Sequence, residues 1–264
     1  MMRLRFWRGA RVPVVELHGM IAARFGQLNL RAVAPLIEKA CAAARGRDLI
    51  LDIDSPGGSP VQSELIAALI RRRAERHKVT VHAVIGEVGA SGGYWLACAG
   101  EKIYANPMSI VGSIGVRGGG FGFPALLARL GIERRLYTAG AHKARLDPFL
   151  PEQADDLAFT RELLDALHER FKSWVRDRRG ARLAAPEAEL FDGGFMLGEA
   201  AVAAGLIDGL SDVDALVRTL GGEKARPMVL RPRPPGLLRR LPRLAMEAAL
   251  DLAEERAARP WLGG

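Results

Sequence analysis

The sequence predicts an α/β fold with a mainly parallel sheet, and three recurring features support this prediction. Short apolar runs typical of strands recur along the chain, amphipathic helical patterns lie between them, and glycine-rich turns join the two. Alternation of strands and helices is typical of parallel pairing, because each helix returns the chain to the same edge of the sheet. Strands of such a sheet are buried on both faces, which agrees with their apolar composition.

The first half of the chain is predicted to form repeated strand, turn and helix units. The predicted strands cover residues 12–18, 49–53 and 79–85, and the predicted helices cover residues 30–43, 61–76 and 94–99. Asn29 directly precedes the first helix, where its side chain can accept a hydrogen bond from a free backbone N–H group. Glycine-rich turns at residues 54–58 and 89–93 follow the second and third strands, and catalytic residues are expected on such turns.

The second half contains three further strand-like runs and one long helix. The runs cover residues 102–105, 110–116 and 133–137. A helical pattern spans residues 151–179, with Pro151 suited to its first turn. We expect the apolar stripe of this helix to pack on the core, and it consists of Leu157, Leu164, Leu167, Phe171, Trp174 and Val175. The domain closes with a short helix, followed by the end of a strand at residues 205–209.

The excess of basic residues lies at the two ends of the chain. The formal net charge is +8, and ten arginines stand in two stretches without acidic residues, at positions 3, 5, 8, 11, 226, 231, 233, 239, 240 and 243. Because these arginines exceed the net charge, the remaining chain is close to neutral and has no broad basic face of the kind that binds nucleic acid. We therefore expect no nucleic-acid partner.

Three segments are predicted along the chain. They are a basic N-terminal segment at residues 1–11, a folded domain at residues 12–225, and a Pro/Arg-rich linker with an amphipathic tail helix at residues 226–264. Leucines interleave with arginines in the tail, which could make a peripheral contact with an anionic membrane surface. A tail helix that is solvated or contacts another subunit is the alternative, because acidic residues follow.

No segment is predicted to be a membrane-spanning helix or a signal peptide. A spanning helix needs roughly 18 apolar residues, and polar residues interrupt the N-terminal region too often for a signal peptide. The sequence therefore predicts a cytoplasmic protein, with peripheral attachment at the inner face of the cell membrane as the alternative. Cys41 and Cys98 lack the spacing of a disulfide scaffold or a metal site, so we expect buried free thiols and no metal.

Ser91 is the first candidate for a catalytic residue. It lies in Gly89-Ala90-Ser91-Gly92-Gly93, which fits the Gly-x-Ser-x-Gly pattern of a nucleophile on a tight strand-to-helix turn. The same pattern occurs in turns without a function, so it does not identify a catalytic serine by itself. An α/β-hydrolase would need a later histidine, and only His142 and His168 follow. A partly exposed surface position is the better interpretation of His168, which falls within the predicted long helix.

A lysine is the alternative base for Ser91. Burial or a nearby cation can lower the pKa of a lysine enough to leave it neutral near pH 7. Lys143 is a candidate because it lies in a loop of small residues, although most lysines are simply exposed. Backbone N–H groups of Gly57 or Gly58 and of Gly92 could form an oxyanion hole, or these glycines could serve only their turns.

Four motifs occur in order along the chain. They are Asp54-Ser55-Pro56-Gly57-Gly58, Ala90-Ser91-Gly92-Gly93-Tyr94-Trp95, Val111-Gly112-Ser113-Ile114-Gly115-Val116 and Gly140-Ala141-His142-Lys143. Together they resemble the motifs of the signal peptide peptidase A family, and the resemblance runs from about residue 12 to residue 210. It implies a ClpP/crotonase-like fold and cleavage of peptide bonds without a metal or cofactor.

The resemblance also implies roles for single residues. Ser91 matches the family's nucleophile, Lys143 its general base, and Ser113 a serine that helps to hold the lysine. Neighbouring subunits of a homo-oligomer would complete the dyad, and the peptide substrates would carry small or apolar side chains before the cleaved bond. Two alternatives use the same fold, namely a crotonase-like acyl-CoA enzyme and a catalytically silent, membrane-associated scaffold.

Overall fold

The computed structural model describes residues 9–24 and 26–232. In chain order its elements are β1 (Arg11–His18), α1 (Leu30–Ala44), β2 (Asp48–Ser55), α2 (Pro60–His77), β3 (Thr80–Ala90), α3 (Gly92–Ala97), β4 (Lys102–Ala105), β5 (Ile110–Gly112), α4 (Pro124–Arg129), α5 (Ala154–Arg179), α6 (Glu187–Leu190), β6 (Phe195–Leu197), α7 (Gly198–Ala203), β7 (Gly209–Leu210), α8 (Val213–Gly221) and β8 (Arg226–Leu230). The arginines at positions 3, 5 and 8 and the predicted tail helix lie outside the described residues. Within the described part of the chain, no helix has the length and apolar character needed to cross a membrane.

The strands form one sheet whose main path runs in the order β6-β5-β3-β2-β1-β8. Beside this path, β4 pairs with β3 and with β7. The pairs are parallel, except that β5 and β6 are antiparallel. The predicted α/β class with mainly parallel strands is therefore confirmed, and helices connect β1 to β2, β2 to β3 and β3 to β4 as such pairing requires.

Side chains of the central strands alternate between two apolar layers. Leu17 and Leu51 belong to the larger core cluster, which includes the buried faces of α1 and α2. Val14 and Ile50 point the other way and pack in a smaller cluster with Leu216 of α8. This alternation follows from the two-residue period of a strand. The central strands are thus covered on both faces, which explains their apolar composition.

β3 changes its partner along its length. Its first part pairs with β4 and its last part with β5. Between the two parts the register with β2 shifts, and the Asp54 carboxylate accepts a hydrogen bond from Val88 N–H at 3.1 Å. The Ser109 hydroxyl donates to the Ile85 carbonyl at 3.2 Å. These contacts hold the irregular part of the strand and so set the direction of the end that carries Ser91.

A buried ion pair joins the end of α5 to the segment that closes the domain. Arg179 is 3% exposed, and its guanidinium donates to Asp208 Oδ2 at 2.7 Å and to the Gly205 carbonyl at 2.9 Å. Asp208 Oδ2 also accepts from Ile103 N–H of β4 at 2.8 Å. Burial raises the pKa of Asp208, but the hydrogen bonds from Arg179 and Ile103 outweigh it and hold the pKa below its usual value. The exposed Arg182 makes a longer contact with Asp208 Oδ1 at 3.3 Å.

α5 starts later and is less buried than predicted. It begins at Ala154, so Pro151 lies before its first turn. Phe171 is buried in the core, but Leu157 near the start of the helix is 36% exposed. A helix of 26 residues spans about 39 Å, and only its second half packs on α3 and the main core. The prediction of core packing is therefore wrong for the first part of the apolar stripe.

Three predicted boundaries in the second half differ from the structure. Residues 133–137 form no strand, because their side chains are exposed and the segment pairs with no strand among the described residues. β5 ends at Gly112 rather than at residue 116. Residues 226–230, which the sequence places in a linker, pair with β1 as β8. Pro227 is tolerated there because β8 is an edge strand.

Two local predictions are confirmed. Asn29 Oδ1 accepts a hydrogen bond from Ala32 N–H at 3.0 Å and so caps α1. Cys41 and Cys98 are buried free thiols. Burial raises the pKa of Cys41 to about 11 and that of Cys98 to about 12. Both thiols are therefore protonated and unreactive at neutral pH.

Candidate active site

Ser91 lies on a turn with unusual backbone angles between β3 and α3. Its φ is 52° and its ψ is −121°, a region that non-glycine residues rarely occupy and that stores strain at functional sites. Ser91 N–H donates to the Gly112 carbonyl at 2.8 Å, and the Ser91 carbonyl accepts from Trp95 N–H at 2.9 Å. The residue is half-buried. It thus occupies the tight strand-to-helix turn that the glycine pattern predicts.

The glycine turn after β2 touches the turn that carries Ser91. A Cβ atom added at Gly57 would lie 2.6 Å from Gly92 N and 2.9 Å from Ser91 Cβ. A Cβ atom added at Gly93 would lie 2.2 Å from the Ser55 carbonyl oxygen. Such contacts leave no room for a side chain, so glycine is required for the two backbones to meet. The structure thus brings together two turns that are far apart in the sequence.

The three glycines predicted for an oxyanion hole occupy different positions. Gly92 is the first residue of α3, where an N–H group has no carbonyl of the same helix to bind. Gly57 is buried next to it, and its N–H donates to Ser55 Oγ at 3.2 Å. Gly58 is exposed, and its backbone packs against Ile21, since an added Cβ would lie 2.1 Å from the Ile21 carbonyl oxygen. Gly57 and Gly92 are therefore the pair at the serine turn.

Ser113 lies on a second turn beside that of Ser91. Ala90 and Gly112 are register partners in β3 and β5, and each of the two serines directly follows one of them. Ser113 also has a φ of 52°, and its N–H donates to the Gly194 carbonyl at 2.6 Å. Two serines on strained turns therefore lie at the same end of two paired strands.

The structure does not bring Lys143 to Ser91 within one chain. Lys143 lies on a turn between α4 and α5, and its side chain is exposed. Lys143 N–H donates to the Gly140 carbonyl of its own turn at 3.2 Å, and among the described residues its side chain makes no hydrogen bond to Ser91. His168 is half-buried, and its Nε2 lies 3.0 Å from the Ile114 carbonyl oxygen. The predicted Ser/Lys pair is therefore not formed in a single protomer.

Large apolar side chains are exposed in the segment that contains Lys143. Phe121 is 82%, Leu130 61%, Tyr137 88% and Leu146 57% exposed. Monomeric proteins seldom expose so many large apolar side chains in one segment, and such surfaces are typical of interaction sites. The environment of Lys143 is therefore that of a surface suited to contact with another molecule.

The central part of the chain matches a family of known peptidases. The sequence profile of Peptidase family S49 matches residues 73–225, a range that includes Ser91, Ser113 and Lys143. The chain belongs to peptidase family S49. This confirms the family to which the four ordered motifs point, and the parallel-dominated α/β sheet agrees with a ClpP/crotonase-like fold.

Three relatives of this S49 chain show how much of its sequence matches other proteins. It is 32% identical over 219 residues to a protein of Synechocystis sp. named as a protease, with 80% of the chain and 75% of the relative covered. It is 28% identical over 178 residues to a protein of Enterococcus faecium named as signal peptide peptidase SppA, with 67% of the chain and 51% of the relative covered. It is 42% identical over 241 residues to the Na(+)/H(+) antiporter NhaA of Brucella abortus, with 90% of the chain covered. The chain spans about a third of that relative, since the match covers 33% of its length.

Two buried serines near the Ser91 turn have contacts that the sequence analysis did not assign, although Ser55 belongs to the first of the four motifs. Ser55 Oγ accepts from Gly57 N–H and donates to the Gly19 carbonyl at 2.7 Å, so it holds the turn after β2. Ser63 lies on α2, and a Cβ atom added at Gly92 would lie 2.4 Å from its Oγ. The available signal was a small polar residue in an apolar context, because Ser63 interrupts the buried face of α2.

Proposed function

We propose that this S49 chain is a serine endopeptidase in which Ser91 is the nucleophile and Lys143 is the general base. The observation that carries the proposal is the strained turn at Ser91, packed against Gly57 and continuous with Gly92. Backbone strain of about 1–3 kcal/mol persists only where the surrounding structure imposes it, and it clusters at active sites. Membership of family S49 supports peptide hydrolysis as the reaction.

The proposed reaction passes through an acyl-enzyme. Neutral Lys143 accepts the hydroxyl proton of Ser91 while the serine oxygen attacks the scissile carbonyl carbon. The lysine ammonium then protonates the leaving amine, the C–N bond breaks, and an ester on Ser91 remains. Water, deprotonated by the same lysine, attacks the ester carbonyl; the bond to Ser91 Oγ breaks, the acid is released, and the lysine ammonium returns the proton to Oγ. The N–H groups of Gly92 and of Gly57 or Gly58 stabilise the oxyanion, each contributing roughly 3 kcal/mol by analogy with other hydrolases.

A neighbouring subunit is the proposed source of Lys143. Lys143 is exposed and has no contact with Ser91 in the described part of one chain, and exposed apolar side chains such as Tyr137 lie in the same segment. A homo-oligomer would cover this surface and carry the lysine to the serine of the next subunit. Burial in that interface would favour the uncharged amine, which a general base requires. Ser113 would hold the lysine from the adjacent turn.

Apolar peptides are the proposed substrates. Phe195 of β6 is the register partner of Gly112, and its side chain is 68% exposed. It therefore lies beside the turns of Ser91 and Ser113, where an apolar side chain of a substrate could pack. The name of the Enterococcus faecium relative, a signal peptide peptidase, supports peptides of signal-peptide type.

Co-expression of two inactive variants tests the peptidase and the source of its base. Ser91→Ala supplies only the lysine and Lys143→Ala only the serine, so each alone should fail to hydrolyse a panel of apolar fluorogenic peptides. Random 1:1 assembly brings the intact residues together at about one interface in four, so the mixed oligomer should recover about a quarter of the wild-type rate. Wild-type hydrolysis without recovery in the mixture would contradict a dyad shared between subunits. No hydrolysis by any oligomer, including wild type, would contradict the peptidase.

A methyl group added at Gly57 should block the oxyanion hole. In Gly57→Ala the new Cβ would lie 2.6 Å from Gly92 N, at a backbone φ of +95°. We expect peptide hydrolysis to fall by at least about 100-fold, because the new methyl group displaces the Gly92 N–H group and the loss of one oxyanion donor usually costs this much. Gly222→Ala is the matched control, because Gly222 has a φ of +87°, lies at the end of α8, and has no described atom within 4 Å of an added Cβ. Equal rates for the two variants would show that the turn at Gly57 has no catalytic role.

A further inference from the structure

A cleft of about 640 Å³ lies at the ends of β1 and β2 and beside the middle of β3, at residues 84–88. The connection between β4 and β5 and the start of α8 form its other walls. Apolar side chains of Val84, Val88 and Ile110 contribute to the lining. Ser91 and Gly57 are not lining residues, so the cleft is separate from the proposed active site.

The charged side chains of the cleft are mainly acidic. Asp52, Asp54, Glu87 and Asp212 line it together with His18, whose Nε2 lies 3.2 Å from Asp52 Oδ2. The hydrogen bond to Asp52 is the main cause that raises the pKa of His18. Even when His18 is protonated, the carboxylates outnumber it and favour a cationic occupant. Among the described residues, no group of three or more His, Cys, Asp or Glu side chains is placed to hold a metal ion.

The described chain ends beside this cleft. β8 runs parallel to β1, with Leu230 opposite Val15. The next residue, Arg231, lies with its guanidinium 3.4 Å from Glu16 Oε1. A strand advances about 3.3 Å per residue, so two further residues in the same direction reach the level of His18 at the cleft.

Glu16, which Arg231 contacts, is the first residue of a row of mainly acidic side chains. In the register of β1 with β2, Glu16 is opposite Asp52 and His18 is opposite Asp54. These four residues lie on the same face of the sheet, because positions two apart in a strand point the same way. The row therefore leads from the last described residues directly into the cleft.

We propose that residues 233–243 of the same chain dock in this cleft. The segment carries arginines at positions 233, 239, 240 and 243 and leucines at positions 237, 238 and 241. Its guanidinium groups complement the carboxylates, and its leucines complement the apolar walls. Eleven extended residues reach at most about 36 Å, which is enough to cross the cleft. The exit of the chain beside Glu16 gives this segment a high effective concentration there, which favours it over a lipid surface as the partner.

Disulfide trapping in the full chain tests the docking. Met108 lines the cleft and is 72% exposed, whereas Cys41 and Cys98 are buried, so Met108→Cys/Leu238→Cys adds two reactive thiols. Under mild oxidation we expect a disulfide within one chain, formed at least about tenfold faster than in Glu75→Cys/Leu238→Cys. The control position is exposed on α2, which packs on the other face of the sheet.

A second measurement uses substitutions that remove negative charge from the cleft. Adding Asp52→Asn and Glu87→Gln to the test pair should slow disulfide formation at least about threefold. Glu162→Gln and Asp177→Asn, two exposed positions on α5, should leave it unchanged. Equal rates for the test and control pairs, or no effect of the cleft substitutions, would overturn the proposal. A disulfide between two chains would assign the segment to a second copy of the chain. Equal rates of disulfide formation in the test and control pairs, together with co-sedimentation on phosphatidylglycerol vesicles, would assign it to a lipid surface. Either result would overturn docking within the chain.

Discussion

Ser91→Ala is expected to lower peptide hydrolysis by about 10⁴-fold or more and to leave the fold intact. Without Oγ no acyl-enzyme forms, and only binding and oxyanion stabilisation remain. The hydrogen bonds from Ser91 N–H to Gly112 and from Trp95 N–H to the Ser91 carbonyl involve only the backbone, so the turn should persist. Initial rates on an apolar fluorogenic peptide, compared at equal oligomer concentration, measure the loss.

Ser113→Ala is the matched comparison for this experiment. Both serines follow register-paired residues of β3 and β5, and both have a φ of 52°. Only Ser91 is proposed as the nucleophile, so the loss in Ser113→Ala should be at least about tenfold smaller. A serine-reactive phosphonate should label wild type and Ser113→Ala but not Ser91→Ala. Near wild-type hydrolysis by Ser91→Ala, or the reverse order of the two variants, would reject Ser91 as the nucleophile.

The serine turn could be predicted from the sequence because its requirements are local. A residue held at positive φ between a strand and a helix needs small neighbours, and the glycines around Ser91 provide them. Its approach to Gly57 also follows from general rules. The carboxyl ends of neighbouring parallel strands lie at the same edge of a sheet, so the turns after β2 and β3 are brought close together.

The position of Lys143 could not be predicted in the same way. It lies 52 residues after Ser91, in a segment whose apolar residues are largely exposed in one chain. A strand was predicted there at residues 133–137 from its β-type residues, but its charged residues are exposed and no described strand pairs with it. Under the proposed function another subunit completes the contacts of this segment, and such contacts leave no periodic pattern that distinguishes them from ordinary surface.

Sheet edges and register were also beyond the sequence analysis. Pro227 indicated a linker because proline removes a backbone donor, yet an edge strand needs donors on one side only. In the same way, Glu16 and His18 are two of the polar residues that argued against a signal peptide, and the sequence indicated no further role for them. The register of β1 with β2 is what places them beside Asp52 and Asp54 and creates an acidic row at one end of the sheet.

Arg179→Met is expected to lower the free energy of unfolding by about 3–5 kcal/mol, the cost of leaving one partner of a buried ion pair without the other. Arg179 is 3% exposed and binds both Asp208 and the Gly205 carbonyl. Methionine fills similar space but leaves the Asp208 carboxylate without its cation. Urea denaturation at pH 7 and fixed protein concentration measures the difference from wild type.

Arg182→Met is the control for the buried cation, because Arg182 contacts the same carboxylate at 3.3 Å but has a side chain that is 43% exposed. We expect this substitution to lower the free energy of unfolding by less than about 1 kcal/mol, as the loss of an exposed ion pair usually does.

The effect of Arg179→Met should depend on pH, because Asp208 has a lowered pKa. The contribution of Asp208 to stability is present above its unfolded pKa of 3.8 and is lost as the pH falls through the folded pKa. The deficit of Arg179→Met should therefore shrink at acidic pH. Equal losses in the two arginine variants, or a deficit that grows as the pH falls, would show that burial of the Arg179–Asp208 pair does not hold the end of α5 to the closing segment.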